Sequence, residues 1–266
     1  VKQIPVLINY SIGKTRFEKT PDVFDIETID RICCAAISPN YPSDLIMFKG
    51  EKWGDTWRAG IHRGTVRVDQ FYSKRTLKAL SVYLTAVGDK FKHQIHFLLG
   101  SVLPKLTKMN RYMPQHGSRA LVGPMANTLY LPPLSIENNV YDQFEFQYKK
   151  IRQALPSSRG GVVSTQGSQK LEIPSQSMDY IFVDPPFGAN IMYSELSFIR
   201  EAWLRVFTNN LSEAIENTSQ KKSLDVYRAL MTECFSEAYR LLKPGRWMTV
   251  EFSNTKASVW NSIQTA

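Results

Sequence analysis

The sequence predicts an α/β protein, with a parallel sheet in its last third and a mostly helical region before it. From Met178 onward, apolar runs of strand length alternate with amphipathic runs of helix length. Strands alternating with helices imply a parallel, doubly wound sheet. Before that, the apolar spacing between residues 71 and 157 is helical, and a Gly/Ser-rich stretch, "SSRGGVVSTQGSQKLEIPSQS", separates the two patterns. These shifts divide the chain into an extended arm (1–70), a helical insert (71–157) and an α/β portion (158–266), with the last boundary near Pro156 to Gly161.

The arm opens with "VKQIPVLINYSIGKTRFEK", whose alternation predicts one or two strands around a charged turn. A short helix from Asp25 into "RICC" follows, then a Gly-, Pro-, Trp- and Asp-rich extended stretch to "RVDQF". In the insert, Leu77, Leu80, Val82, Leu84 and Val87 define a helix that Ser73 caps and Gly88 ends. A second helix carries Phe91, Ile95 and Leu98 and is expected to end before Pro104. "TKMNRYMPQHGSRALVGPMANTLYLPPLS" predicts a loop with one short strand at Leu129 to Leu131, and "NNVYDQFEFQYKKIRQAL" an amphipathic helix. The boundary stretch holds a short strand at Val162 and Val163. Beyond it come a strand at Tyr180 to Val183, a helix over Met192 to Phe207 and a helix over Leu224 to Leu242. A strand at Trp247 to Phe252 and a helix from about Ala257 complete the order.

With 266 residues, 43% of them hydrophobic and 12% aromatic, the chain can bury a sizeable core, which excludes wholesale disorder. The formal charge of +9 favours an anionic partner, of which nucleic acid is the commonest. Lys108, Arg111, Tyr112, His116 and Arg119 give the loop after the second helix the composition of a nucleic-acid-facing segment, with Lys108 and Arg111 as phosphate contacts. Three cysteines, two of them adjacent, make no disulfide framework and point to a reducing cytoplasm. No cysteine or histidine spacing suggests a metal site, His93 and His96 lacking thiol or carboxylate partners. Signal-peptide and membrane-spanning runs are absent from the sequence.

The most informative stretch is "YIFVDPPFGAN", Tyr180 to Asn190. Proline cannot donate to a ladder, so the strand must stop at Asp184, and Pro185 pushes that residue toward extended geometry. An acid is thereby fixed at a strand tip beside ring-locked carbonyls and the phenyl group of Phe187. In open α/β sheets ligands bind at the carboxyl ends of strands. Rigid acceptors next to an aromatic ring suit a planar substrate.

Asp184-Pro185-Pro186-Phe187 resembles the catalytic motif of class I S-adenosylmethionine-dependent amino-methyltransferases, which methylate exocyclic nitrogens of DNA bases. "FEKTPDVFDIETI", "DQFYSKRTLKALS", "LYLPPLSIENNV", "MYSELSFIREAWL" and "MTVEFSNTKASVWNSIQ" are similar to prokaryotic DNA methylases with a large insert between cofactor and catalytic motifs. The resemblance implies a partial Rossmann-like methyltransferase sheet, S-adenosylmethionine as cofactor, DNA as partner and possible restriction-system subunits. It implies that the Asp184 carboxylate and Pro185 carbonyl accept the two N–H groups of the target, and that Phe187 stacks on the flipped base. It places Gly188, Asn190, Tyr193 and Glu195 in or beside the base pocket, where glycine permits close approach. Ser164, Gln166 and Gln169 fall where the family contacts the cofactor, although Lys170 stands where an acidic residue is usual.

One departure is large. The glycine-rich loop that cradles the cofactor's methionine part in these enzymes has no counterpart in the sequence. The chain therefore reads as a piece of a longer polypeptide. Three functions remain open: a DNA amino-methyltransferase portion, acting on adenine N6 or else cytosine N4; an RNA base methyltransferase; and a non-enzymatic DNA-recognition module. Target sequence and oligomeric state are not legible.

Overall fold

A computed structural model describes residues 3–38, 40–46, 64–119, 121–125, 128–154 and 160–266. The chain divides into two compact units, the first gathering Val1–Leu45, Ile61–Met125 and Tyr130–Ala154, the second built mainly of Leu155–Ala266. The arm and the helical insert, separate in the sequence reading, thus share a unit. Most of the expected boundary at Pro156 to Gly161 lies outside the described residues, as does much of the Trp- and Gly-rich part of the arm.

In the first unit, β1 (Ile8–Ile12) and β2 (Thr15–Lys19) pair antiparallel across a two-residue turn at Gly13, whose φ is +60°. Helix α1 (Val23–Cys34) starts at a reciprocal cap: Asp22 accepts the Asp25 N–H and Asp25 accepts the Asp22 N–H, each at 2.9 Å. Helix α2 (Lys74–Val87) starts and stops where its sequence dictates. The Ser73 hydroxyl accepts the Thr76 N–H at 3.0 Å, and Gly88 leaves the helix at φ +64°.

Helix α3 (Lys92–Leu106) departs from expectation by running through Pro104. Burial of Val102, Leu103 and Leu106 outweighs one lost backbone bond. The Pro104 carbonyl accepts from Thr107 Oγ1 and Asn110 Nδ2, both at 3.0 Å, which closes the helix. Helix α4 (Val140–Ala154) packs on α3 and on α2, where the Tyr83 and Phe144 rings lie 4.4 Å apart.

The strand expected at Leu129 to Leu131 is not formed. Its leucines are buried, but Pro132 and Pro133 cannot join a ladder. The pairing falls elsewhere, with β3 (Arg111–Tyr112) against β4 (Leu121–Val122) and Arg111 bridging to Ser135.

The second unit has the order β5 (Met178–Val183), α5 (Tyr193–Leu204), α6 (Leu224–Leu241), β6 (Leu242–Val250), α7 (Ala257–Gln264). Strands β5 and β6 pair in parallel, from Tyr180↔Trp247 to Val183↔Val250. β6 begins five residues before the expected Trp247, because Leu242 meets Met178 before a register shift at Gly245, φ +73°. Val162 and Val163, expected as a strand, are almost fully exposed and unpaired, since no neighbouring strand offers them a ladder. The described strands thus form three two-stranded sheets in a mixed α/β chain, short of the larger doubly wound sheet expected. Ala214, Tyr227, Met231 and Val259 form a core beneath the β5 end, with Phe252 and Ile263 against it.

The entry into β5 is fixed by α6. Gln176 and Ser177 N–H groups donate to the Arg240 and Leu241 carbonyls at 2.9 Å. Arg240 donates to the carbonyls of Leu171 and Ile173 and pairs with Glu237, which also accepts the Leu171 N–H at 2.7 Å. The Arg240 guanidinium and the Leu171 N–H hold the Glu237 carboxyl down at about 2, from an ordinary 4.5. A depressed carboxyl adds stability that is full above its unfolded value and is lost as pH falls through the folded one. Stability should therefore fall between about pH 4.5 and about pH 2, and Glu237→Gln should remove most of that dependence. Urea midpoints across this range check it; an unchanged pH profile in the variant contradicts the clamp.

Candidate functional site

Asp184 follows the last residue of β5, and the ladder ends with the Glu251 N–H donating to the Val183 carbonyl at 2.9 Å. From Pro186 to Gly188 the carbonyls are then taken one by one. Tyr227 Oη of α6 donates to Pro186 at 2.7 Å. Asn254 Nδ2, just beyond β6, donates to Phe187 at 2.8 Å, and the Asn190 N–H reaches the same oxygen at 3.3 Å. The Glu216 N–H donates to Gly188 at 3.2 Å. Three separate segments therefore hold one short turn.

Three acceptors are left over, the Asp184 backbone carbonyl being one. Among the described residues, neither the Asp184 carboxylate nor the Pro185 carbonyl accepts a hydrogen bond. Asp184 is exposed and Phe187 half-buried, its ring edge-on to Phe252 at 5.4 Å, while Phe252 meets Trp260 edge-on at 5.0 Å. Trp260 Nε1 donates to the Asn254 carbonyl at 2.7 Å, tying this aromatic row to the same asparagine.

The turn's glycine serves this chain's own packing. Gly188 is buried at φ +64°, and a Cβ there would stand 3.0 Å from Val259 Cγ1 of α7 and 3.5 Å from Asn254 Nδ2. Asn190 is exposed. Tyr193 opens α5 and is 38% exposed; partial burial, then the charges of Asp184 and Glu213, push its phenol above the usual value, so it is protonated at neutral pH. Glu195 points inward: it is fully buried and accepts from Asn217 Nδ2 at 2.6 Å. The N-terminus of α5 is capped from a distance by the Glu213 carboxylate, which accepts from the Ser194 N–H at 2.9 Å and from the Ser194 hydroxyl.

The residues expected at the cofactor are not gathered here. Ser164 and Gln166 are exposed and bond to each other at 3.3 Å, and Gln169 Nε2 donates to the Ser212 carbonyl at 2.8 Å. Together with the missing glycine-rich loop, they do not form a cradle that fits S-adenosylmethionine. In the first unit, Lys108 Nζ donates to the Gln70 carbonyl at 3.1 Å and Arg111 Nε to that of Gly123 at 3.0 Å. Burial lowers the Lys108 pKa.

Sequence reasoning missed Tyr227, Asn254, Glu213 and Glu216. Nothing local in the sequence marks them, because each acts through a contact made only after the strands and helices assemble. Comparison with protein-family models, with curated proteins and with solved structures finds no match to this chain.

Gly188→Ala should destabilise the protein by about 1–3 kcal/mol, since a side chain at positive φ costs roughly 1–2 kcal/mol before the Val259 contact is counted. Equilibrium urea unfolding measures it. Wild-type stability in this variant would mean that the turn does not depend on the glycine.

Proposed function

We propose that the chain carries the base-binding half of a DNA amino-methyltransferase site, acting on adenine N6 in preference to cytosine N4. One observation carries the reading: in a turn whose Pro186, Phe187 and Gly188 carbonyls are taken, the exposed Asp184 carboxylate and the carbonyl of the buried Pro185 accept no hydrogen bond. An exocyclic amino group has two N–H donors and a lone pair delocalised into the ring. Accepting one N–H at each oxygen localises that lone pair on nitrogen and favours the charge that develops there during attack on an electrophilic methyl group. The partly exposed Phe187 face supplies a stacking surface for a base drawn out of the duplex. Tyr193, a protonated phenol near Asp184, adds a donor at the rim.

S-adenosylmethionine would supply the methyl group, but Ser164, Gln166 and Gln169 assemble no place for it. The proposal is thus confined to the acceptor side, with β5 and β6 as part of a Rossmann-like sheet. The net charge of +9 agrees with a polyanionic substrate. No helix among the described residues is long and apolar enough to cross a membrane.

Two measurements test this. Nucleosides from cells expressing the gene should contain a methylated amino base in DNA, and Asp184→Ala should remove it, because one such positioned group is worth on the order of 100- to 1000-fold in rate. Modification confined to RNA would transfer the reading to an RNA substrate, and persistence in the variant would end it. Calorimetry of the 266-residue chain should show weak or no binding of S-adenosylmethionine; micromolar affinity would reveal a cofactor site that these residues do not form.

A further inference from the structure

The surplus positive charge has a definite place. Residues 61–125 hold eleven Lys and Arg against two Asp and Glu, whereas residues 155–266 hold eleven of each. Within the first unit several cations are already engaged: Arg67 with Asp69, Arg75 with Glu137, Lys149 with Glu145, Lys108 and Arg111 with backbone carbonyls. Lys105 of α3 and Lys150 of α4 are not. Both lie over one ring, that of Phe146, at 5.4 and 4.4 Å from its centroid, and Phe146 is half exposed.

Two ammonium groups drawn to the same ring repel each other, and among the described residues no carboxylate pairs with either. A cation–π contact returns only about 0.5–1 kcal/mol at an exposed site. An anion placed between the two would relieve the repulsion. Phe97 and His93 are exposed further along α3, on a surface that winds about 120° around the helix over roughly 18 Å at 1.5 Å per residue. Cations interleaved with open aromatic rings along such a length match a nucleic-acid backbone with accessible bases or sugars.

We propose that the α3–α4 face centred on Lys105, Phe146 and Lys150 binds the phosphodiester backbone of nucleic acid. That the nucleic acid is DNA rests on the methyltransferase reading; the phosphate chemistry does not. Lys108 and Arg111, first expected in this role, each spend one donor on a backbone carbonyl within the fold, whereas Lys105 and Lys150 spend none.

The test is binding of a labelled DNA duplex to the 266-residue chain, followed by anisotropy from about 50 to about 300 mM salt. The double variant Lys105→Gln, Lys150→Gln should bind more weakly and lower the salt slope by about 1.8, at about 0.9 per phosphate contact. Lys105→Arg with Lys150→Arg should keep the slope, as should Lys149→Gln, and circular dichroism should match the wild type throughout. Equal loss on duplex RNA supports a general phosphate site. An unchanged slope in the Gln pair overturns the proposal, as does a wild-type chain that binds poly-glutamate as tightly as duplex. Loss of slope without any methylated nucleoside in cells would sink the methyltransferase reading and leave this surface standing. Methylation with an unchanged slope would do the reverse.

Discussion

The structure depends on one constraint: a chain leaving a parallel strand through two prolines has no ladder to join, so every carbonyl it presents must find another partner or stay open. Pro186, Phe187 and Gly188 find theirs in α6, in the residue run after β6, and in the loop before α6. Those partners come within reach only because β5 and β6 lie side by side with α5 and α6 between them in the chain. Tyr227 shows how tightly this is coupled to the core. The ring is fully buried among Ala214, Met231 and Val259, and burial pushes its phenol up, so the hydroxyl remains a donor to Pro186. The turn is therefore held by the hydrophobic core itself, and a buried donor aimed at a carbonyl would leave a costly unpaired group if the turn moved.

Charge is divided along the chain as sharply as structure is. The α/β portion balances its acids and bases and uses them internally, Arg240 with Glu237, Lys243 and Arg246 with Asp179, Lys222 on the Asn210 and Glu213 carbonyls. The helical portion keeps cations, Lys105 and Lys150 among them, that no carboxylate among the described residues neutralises. Unneutralised charge weakens a fold by self-repulsion unless a counter-charge arrives. On the proposed reading, chemistry on a neutral base needs rigid dipoles and grip on a polyanion needs free cations, and the two demands would fall on different stretches of sequence.

Much of this was legible beforehand, and the pattern of what was not is physical. Helix α2 could be read to the residue, since Ser73 and Gly88 act within one turn of themselves. The strand ending at Asp184 was equally legible, because proline forbids continuation wherever it stands. Pro104 misled because burial of Val102, Leu103 and Leu106 around it outweighs the one backbone bond its ring removes. Leu129 to Leu131 misled in the opposite direction: apolar alternation predicted burial correctly, but burial without a donor-bearing neighbour makes no strand. At the site, Asp184 and Phe187 were visible as a motif. Gly188 was visible for the wrong reason, since its neighbour is Val259 and no substrate is required to explain it. The braces Tyr227, Asn254 and Glu216 were invisible because their partners lie far away in sequence.

On the proposed reading, two open acceptors also decide what the site refuses. A carboxylate and a carbonyl side by side at a rigid turn accept two N–H bonds from an amino group. A base presenting a ring carbonyl there would bring a third acceptor against them. Nothing in the turn can rotate to donate instead, since Pro185 and Pro186 have no N–H and the next carbonyls are held. Each unpaired acceptor costs about 1–3 kcal/mol, so two would discriminate by roughly 30-fold at the least. Discrimination of this kind needs no contact that recognises the wrong base; it needs only that the turn stay still. The hydrogen bonds from Tyr227, Asn254 and Glu216 are thus as much a part of base selection as Asp184, because a turn free to swing would let water or a rotated peptide satisfy the acceptors and erase the penalty.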